Sequence, residues 1–183
     1  KLHQGDKSFL SDLKKSNLKN HPFISSLEWV SKLSEKPKLF FNQWDLYDKI
    51  AEESNKDFTF YEFGVCRGIS FKYLIKFFNK GYGFDTFQGL PEDWNERYKQ
   101  GSFSTNGKVP KIKNGTFIVG EFKDTLPKFF SKSNRNASII NFDADLYSST
   151  ICALNYSKSV MNENTILIFD DFLNNMNWEQ HEY

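Results

Sequence analysis

Five short apolar runs alternate with helix-like stretches, and that alternation constrains the fold more than any other feature. "FTFYEFGV" (58–65), "GYGFDTF" (81–87), "TFIVG" (116–120), "ASIINFD" (137–143) and "TILIFDD" (165–171) are rich in aromatic and β-branched residues. Between them, "SFKYLIKFFNK" (70–80), "DTLPKFFSK" (124–132) and "STICALNYSKSVM" (149–161) carry helical spacing, with Asp124 as the expected N-cap of the second. Strands that alternate with helices predict a parallel, doubly wound α/β sheet. Runs such as "TILIF" are apolar on both faces, as a strand covered by helices on each side must be.

The N-terminal part reads differently. Residues 1–36 are polar and rich in Lys and Ser, with apolar residues at helical spacing. Phe9, Leu10, Leu13 and Leu18 share one face, and Pro22 opens a second helix in "HPFISSLEWVSKL". We expect a helical extension over 1–36 and a main domain over 37–183. That domain begins with the helix "NQWDLYDKIAEE", whose Trp44, Tyr47, Ile50 and Ala51 are expected to face inward. Residues 88–115 are polar and punctuated by Gly and Pro, a long loop of the kind that serves as a lid. Trp94 and Tyr98 in it are candidates to stack on a substrate ring or to anchor the loop.

Charge and cysteine content exclude some functions. A net charge of +1 encodes no strong pull toward nucleic acid or a membrane surface. Two cysteines, Cys66 and Cys152, make no CxxC pair, so a reducing, cytoplasmic setting is the simplest expectation. No apolar run has the length of a membrane span. The chain opens at Lys1 without methionine, which suggests a fragment of a longer product.

Two sets of residues carry chemistry. In "YEFGVCRGISF", Gly64 and Gly68 permit a tight turn after the first strand, with Glu62 at the strand end. Asp85 ends the second strand, where an acid in Rossmann-like folds grips a ribose. With no phosphate-gripping cation apparent beyond Arg67, a nucleoside without a pyrophosphate fits better than a dinucleotide. The second set is acidic. Asp143 and Asp145 follow the fourth strand, and Asp170 and Asp171 follow the fifth. Carboxylates converging on one cleft require protons or a cation, and all-oxygen ligation suits Mg²⁺, Mn²⁺ or Ca²⁺. Asp145 or Asp171 could instead only cap a helix. His3, His21 and His181 have no paired ligand spacing, and Ser148 to Thr150 read as a helix start.

In this order, "EFGVCRGIS", "YGFDTFQGLPEDW", "VGEFKDTLP", "INFDADLYSST" and "ILIFDDF" resemble the macrocin O-methyltransferase (TylF-like) family over roughly residues 40–183. The resemblance implies a class I, S-adenosylmethionine-dependent methyltransferase that modifies a hydroxyl of a sugar or glycosylated small molecule. It implies that Glu62, Gly64, Gly68 and Ser70 hold the methionine part of the cofactor, and that Asp85 binds the ribose with Phe87 close by. Gly120 to Phe122 would border the adenine. Asp143, Asp170 and Asp171 match the family's Mg²⁺ (or Mn²⁺) ligands, and Asp145 matches the general base. The family sheet continues beyond strand five, where this chain stops, so an expectation is that more chain or a partner, a second copy included, covers that edge. Two rival readings are a metal-dependent nucleotide-sugar glycosyltransferase and a non-catalytic module with a methyltransferase-like fold.

Overall fold

A computed structural model describes residues 11–12, 15–17, 19, 21–35, 37–38, 40, 42–132 and 135–170. They fall into two compact units, one of which is Asn42–Asp170. The other contains helix α1 (Pro22–Lys32), which begins at the expected proline. Phe9, Leu10, Leu13 and Leu18 lie outside the described residues, as do His3, Asp171 and His181.

The Asn42–Asp170 unit is built on a five-stranded sheet of order β3-β2-β1-β4-β5. Its strands are β1 (Thr59–Phe63), β2 (Gly81–Asp85), β3 (Gly115–Val119), β4 (Ala137–Phe142) and β5 (Ile166–Phe169). Every neighbouring pair is parallel, as the alternation predicts. The chain moves outward from β1 through β2 to β3, then returns to the other side of β1. The reversal between β1 and β4 creates a crevice beyond the strands' carboxyl ends.

Four further helices cover the sheet: α2 (Gln43–Glu53), α3 (Ile69–Leu74, extended by a 3₁₀ turn at Ile75–Phe77), α4 (Phe122–Phe130) and α5 (Tyr147–Ser157). The period of two along each strand sends alternate residues into two cores. Phe60 and Ile139 join Tyr47, Phe71 and Leu74 on one face. Tyr61, Phe63, Ile140 and Phe142 join Leu126 and Ala153 on the other.

One row of that second core sets the level of the site. Phe84, Phe63, Phe142 and Phe169 stack across four adjacent strands, with ring centroids 4.9, 5.4 and 4.8 Å apart. Each such pair contributes about 0.5–1.5 kcal/mol beyond its buried area. The ladder holds the four strand ends in register, so Asp85, Gly64, Asp143 and Asp170 begin at one height. Backbone bonds carry the register past the strands: Gly64 N–H donates to Phe84 O, Asp143 N–H to Phe63 O, and Asp170 N–H to Phe142 O, at 2.9, 2.8 and 3.0 Å.

Two local expectations need correction. Helix α4 starts at Phe122, with Glu121 rather than Asp124 at its N-cap and Asp124 inside the first turn. The "DTLP" segment is therefore already helical when Asp124 is reached. Trp44 is 39% exposed and lies against the Tyr73 ring, while Tyr47 and Ala51 carry the buried face of α2. Residues 88–114 hold turns without a helix. No helix among the described residues is long and apolar enough to cross a membrane.

Candidate functional site

The glycine turn after β1 is held by one carboxylate. Asp85 Oδ2 accepts the N–H groups of Val65 and Cys66 at 2.8 and 2.7 Å, and its Oδ1 accepts that of Phe87 at 2.7 Å. Three residues of the turn have left-handed backbones: Gly64 (φ 84°), Cys66 (φ 49°) and Gly68 (φ 72°). At Gly64 the need for glycine is steric as well, because a Cβ there would stand 1.8 Å from the Asp143 carbonyl oxygen. Absence of a side chain lets the ends of β1 and β4 close together.

Above these strand ends lies a cleft of about 580 Å³. Gly64, Asp85, Phe122, Asp143 and Asp145 line it, so five of the residues singled out in the sequence meet in one place. Asp145 has φ 60°, a conformation uncommon outside glycine. Asp143 also borders an adjoining recess of about 400 Å³, together with Ser70 and Arg67.

The remaining predicted residues are elsewhere. Phe87 is 1% exposed, and its ring packs edge-on to Phe117 inside the core, so only its backbone serves the turn. Gly68 caps α3 beneath Ile112 and Pro110. Gly120 borders a separate groove beside β3. Asp170 starts beside Asp143 but does not line the cleft. Asp171 lies outside the described residues.

Glu62 faces inward and is fully buried. Its Oε1 accepts from Ser70 Oγ and its Oε2 from Asn141 Nδ2, both at 3.0 Å, tying α3 and β4 to β1. Burial pushes its carboxyl up to about 8, with the nearby Asp143 charge adding to the rise and these donors opposing it. Asn141 Oδ1 is buried and has no hydrogen-bond partner among the described residues.

Tyr47 is a site neighbour that sequence reasoning took only for a core residue. Its hydroxyl accepts from Gln43 Nε2 at 2.6 Å. Burial raises its pKa, and the charges of Glu62, Asp143 and Asp170 raise it further. Partial desolvation also raises the Asp170 carboxyl, although the residue as a whole is exposed. The second acidic pair can thus be followed only through Asp170. Among the described residues, no group of three or more His, Cys, Asp or Glu is close enough to hold a metal ion.

The cleft gains its roof from residues 88–107. Leu90 N–H donates to Ser102 O and Gly101 N–H to Leu90 O, both at 2.9 Å, pinching the loop into a narrow hairpin. Trp94 stacks on Tyr98, and Tyr98 packs on Phe103. Of these three aromatics, Phe103 reaches the cleft. Glu92, Ser148 and Ser149 also line it. No local pattern marks Phe103 or Glu92 as a site residue, because loop folding alone brings them there.

No protein-family model matches the chain, and no curated protein matches it significantly. Among solved structures, the crystal structure of CalS11, described as a calicheamicin methyltransferase, has a TM-score of 0.64 at 17% identity, covering 96% of this chain and 80% of that one. An apo structure of CalS11, described as a TDP-rhamnose 3'-O-methyltransferase of calicheamicin biosynthesis, has a TM-score of 0.57 at 16% identity, with the same coverages. At such identities the likeness is one of fold: the chain has the Rossmann-like fold of these methyltransferases.

Proposed function

We propose that this chain is an S-adenosylmethionine-dependent O-methyltransferase acting on a hydroxyl of a sugar or a glycosylated small molecule. The observation that carries the reading is the meeting of Gly64, Asp85, Asp143 and Asp145 around one cleft at the β1/β4 crevice. The fold shared with CalS11, whose description names a sugar hydroxyl as its target, supports the choice of reaction.

Bound S-adenosylmethionine supplies a methyl group on a sulfonium, already a good electrophile. The protein's task is to activate and aim the hydroxyl. Asp85 keeps the glycine turn in place beside the donor. Asp145, on its left-handed backbone, faces the acceptor and takes the hydroxyl proton as the oxygen attacks, a role worth roughly 10²–10⁴-fold. Phe122 gives the donor an apolar wall.

The metal belongs to this proposal. Asp143 and Asp170 follow the paired ends of β4 and β5, and together with Asp171 they would offer the all-oxygen set that Mg²⁺ or Mn²⁺ takes. A cation there would lower the pKa of the acceptor hydroxyl.

Calorimetry with S-adenosylhomocysteine, followed by transfer of labelled methyl to glycosides, tests the reading. Binding of the thioether product is expected, and its absence would refute the assignment. Undiminished turnover in EDTA would remove the cation and leave the methyl transfer.

A further inference from the structure

The sheet edge at β3 is open and carries none of the devices that close such edges. β3 stands at one end of the strand order. Asn114 O accepts from Gly81 N–H and Gly120 N–H donates to Asp85 O, both at 3.0 Å. Alternate residues of a parallel strand bond to the same neighbour, so Phe117 and Val119 turn their N–H and C=O groups away from β2. Gly115 shares that direction, but its N–H is taken by Ile112 O at 3.1 Å. Among the described residues nothing takes up the outward peptide groups of Phe117 and Val119. Natural sheets blunt such an edge with a charge, a proline or a bulge on the strand itself. The strand "GTFIV" has none of these, and its register with β2 runs without a break. Thr116 is exposed and Val119 is 54% exposed. Thr, Phe, Ile and Val are the residue types that pack well against a further strand.

Beside this edge, between β3 and α4, lies the groove of about 650 Å³ that Gly120 borders. Its apolar lining is Tyr82, Ile118, Val119 and Phe129, and its charged lining is Glu121, Asp124, Lys128, Lys132 and Arg135. The chain returns along α4 from the end of β3 to the start of β4, which runs parallel to it. Both acids therefore stand toward the end of β3, and Lys132 and Arg135 toward its start. Glu121 is engaged by Lys123 Nζ at 2.6 Å. That leaves Asp124 against Lys128, Lys132 and Arg135, none of which has a carboxylate partner among the described residues. Lys80 lies over the Tyr82 ring at 4.9 Å, and the exposed Lys111 and Lys113 precede β3, so all three add to the same sign. The formal charge of +1 for the whole chain hides a locally basic sheet edge.

A second copy of this chain would bring the same excess of cations to the groove. An extended acidic segment brings the opposite charge and the missing strand together. We propose that the β3 edge docks an extended, acidic peptide segment of a partner protein as an added strand, with Lys128, Lys132 and Arg135 holding its carboxylates. The surface is independent of the methyl-transfer reading; of its residues, Glu121 is shared with the cleft.

Fluorescence anisotropy with three labelled peptides tests this. One alternates valine with glutamate, one alternates valine with lysine, and one is the valine–glutamate sequence N-methylated along one edge. The valine–glutamate peptide is expected to bind about tenfold or more tightly than either of the others, and its lead over the lysine peptide should shrink as salt rises. Val119→Pro removes an outward N–H at a position where an edge strand tolerates proline, and should lower that peptide to the level of its N-methylated form. Lys132→Glu combined with Arg135→Glu leaves the strand intact and should erase the preference over the lysine peptide. Thermal melting by circular dichroism checks that each variant is folded; if Val119→Pro is not, the charge-reversed variant and the N-methylated peptide decide. Absence of saturable binding by the valine–glutamate peptide, equal binding of its N-methylated form, or an unchanged preference in the charge-reversed variant would overturn the inference. So would a dimer in sedimentation that Val119→Pro dissociates, which would assign the edge to a second copy. Displacement of the peptide by an equimolar thymidine oligonucleotide would overturn it too, by assigning the patch to nucleic acid.

Discussion

Glu62 gives the fold a pH dependence of unusual sign. A carboxyl in the unfolded chain titrates near 4.5, and burial pushes that of folded Glu62 up to about 8. Between those values the folded protein holds one proton that the unfolded chain has released. Its stabilising contribution is complete below about 4.5 and is lost as pH rises toward 8; above that, neither state holds the proton. One proton of difference corresponds to about 1.4 kcal/mol per pH unit, or roughly 3–5 kcal/mol over the window. Asp170, raised by partial desolvation but exposed, adds a small loss of the same sign. The substitution Glu62→Gln separates the two. A neutral amide keeps the size of the protonated acid and an acceptor for Ser70 or Asn141, but cannot ionise. Urea unfolding followed by tryptophan fluorescence, from pH 5 to pH 9, should give a wild-type midpoint that falls toward pH 8. The variant's midpoint should fall much less, and the two curves should converge or cross at the alkaline end. Parallel curves across that range would refute the assignment of a buried, neutral Glu62.

Other substitutions separate scaffold from chemistry. Gly64→Ala drives a Cβ to 1.8 Å from Asp143 O at φ 84°; it should destabilise the fold by about 3–5 kcal/mol in urea titrations, through left-handed strain and the loss of backbone bonds between β1 and β4. Asp85→Ala strands three N–H groups of the turn, and should cost about 2–3 kcal/mol and weaken S-adenosylhomocysteine binding in calorimetry. Asp145→Asn should lower methyl transfer about 10²-fold or more with homocysteine affinity nearly unchanged; retention of full turnover would exclude Asp145 as base. Phe169→Ala removes the end of the aromatic ladder beside Asp170, and should cost about 3–4 kcal/mol in the same unfolding assay.

Much of the architecture was legible because it depends on near neighbours in the chain. Apolar alternation and strand-ending acids mark the βα units, and a parallel sheet leaves few arrangements. The same logic located Asp85, Asp143 and Asp145 on the rim of the crevice. It carried no information on a residue's direction where that depends on what packs against it. Glu62 and Phe87 sit at strand ends like the cleft residues, yet one is buried by Ser70 and Asn141 and the other by Phe117. Trp94 and Tyr98 were open between a ligand-facing role and anchoring the loop; they stack on each other, and Phe103, which no pattern marked, lines the cleft.

From the sequence alone come the parallel sheet, the glycine turn and the level at which the acids emerge, since each follows from a repeat of two or from one residue's backbone freedom. Only the tertiary structure decided which side chains share the cleft. Contacts such as Glu92 to Ser148 and Cys66 to Phe103 join residues 56 and 37 positions apart, and no local period carries information over that distance. Closing such loops depends on the packing of the whole hairpin against the sheet, so the cleft's surroundings were fixed by the fold as a unit.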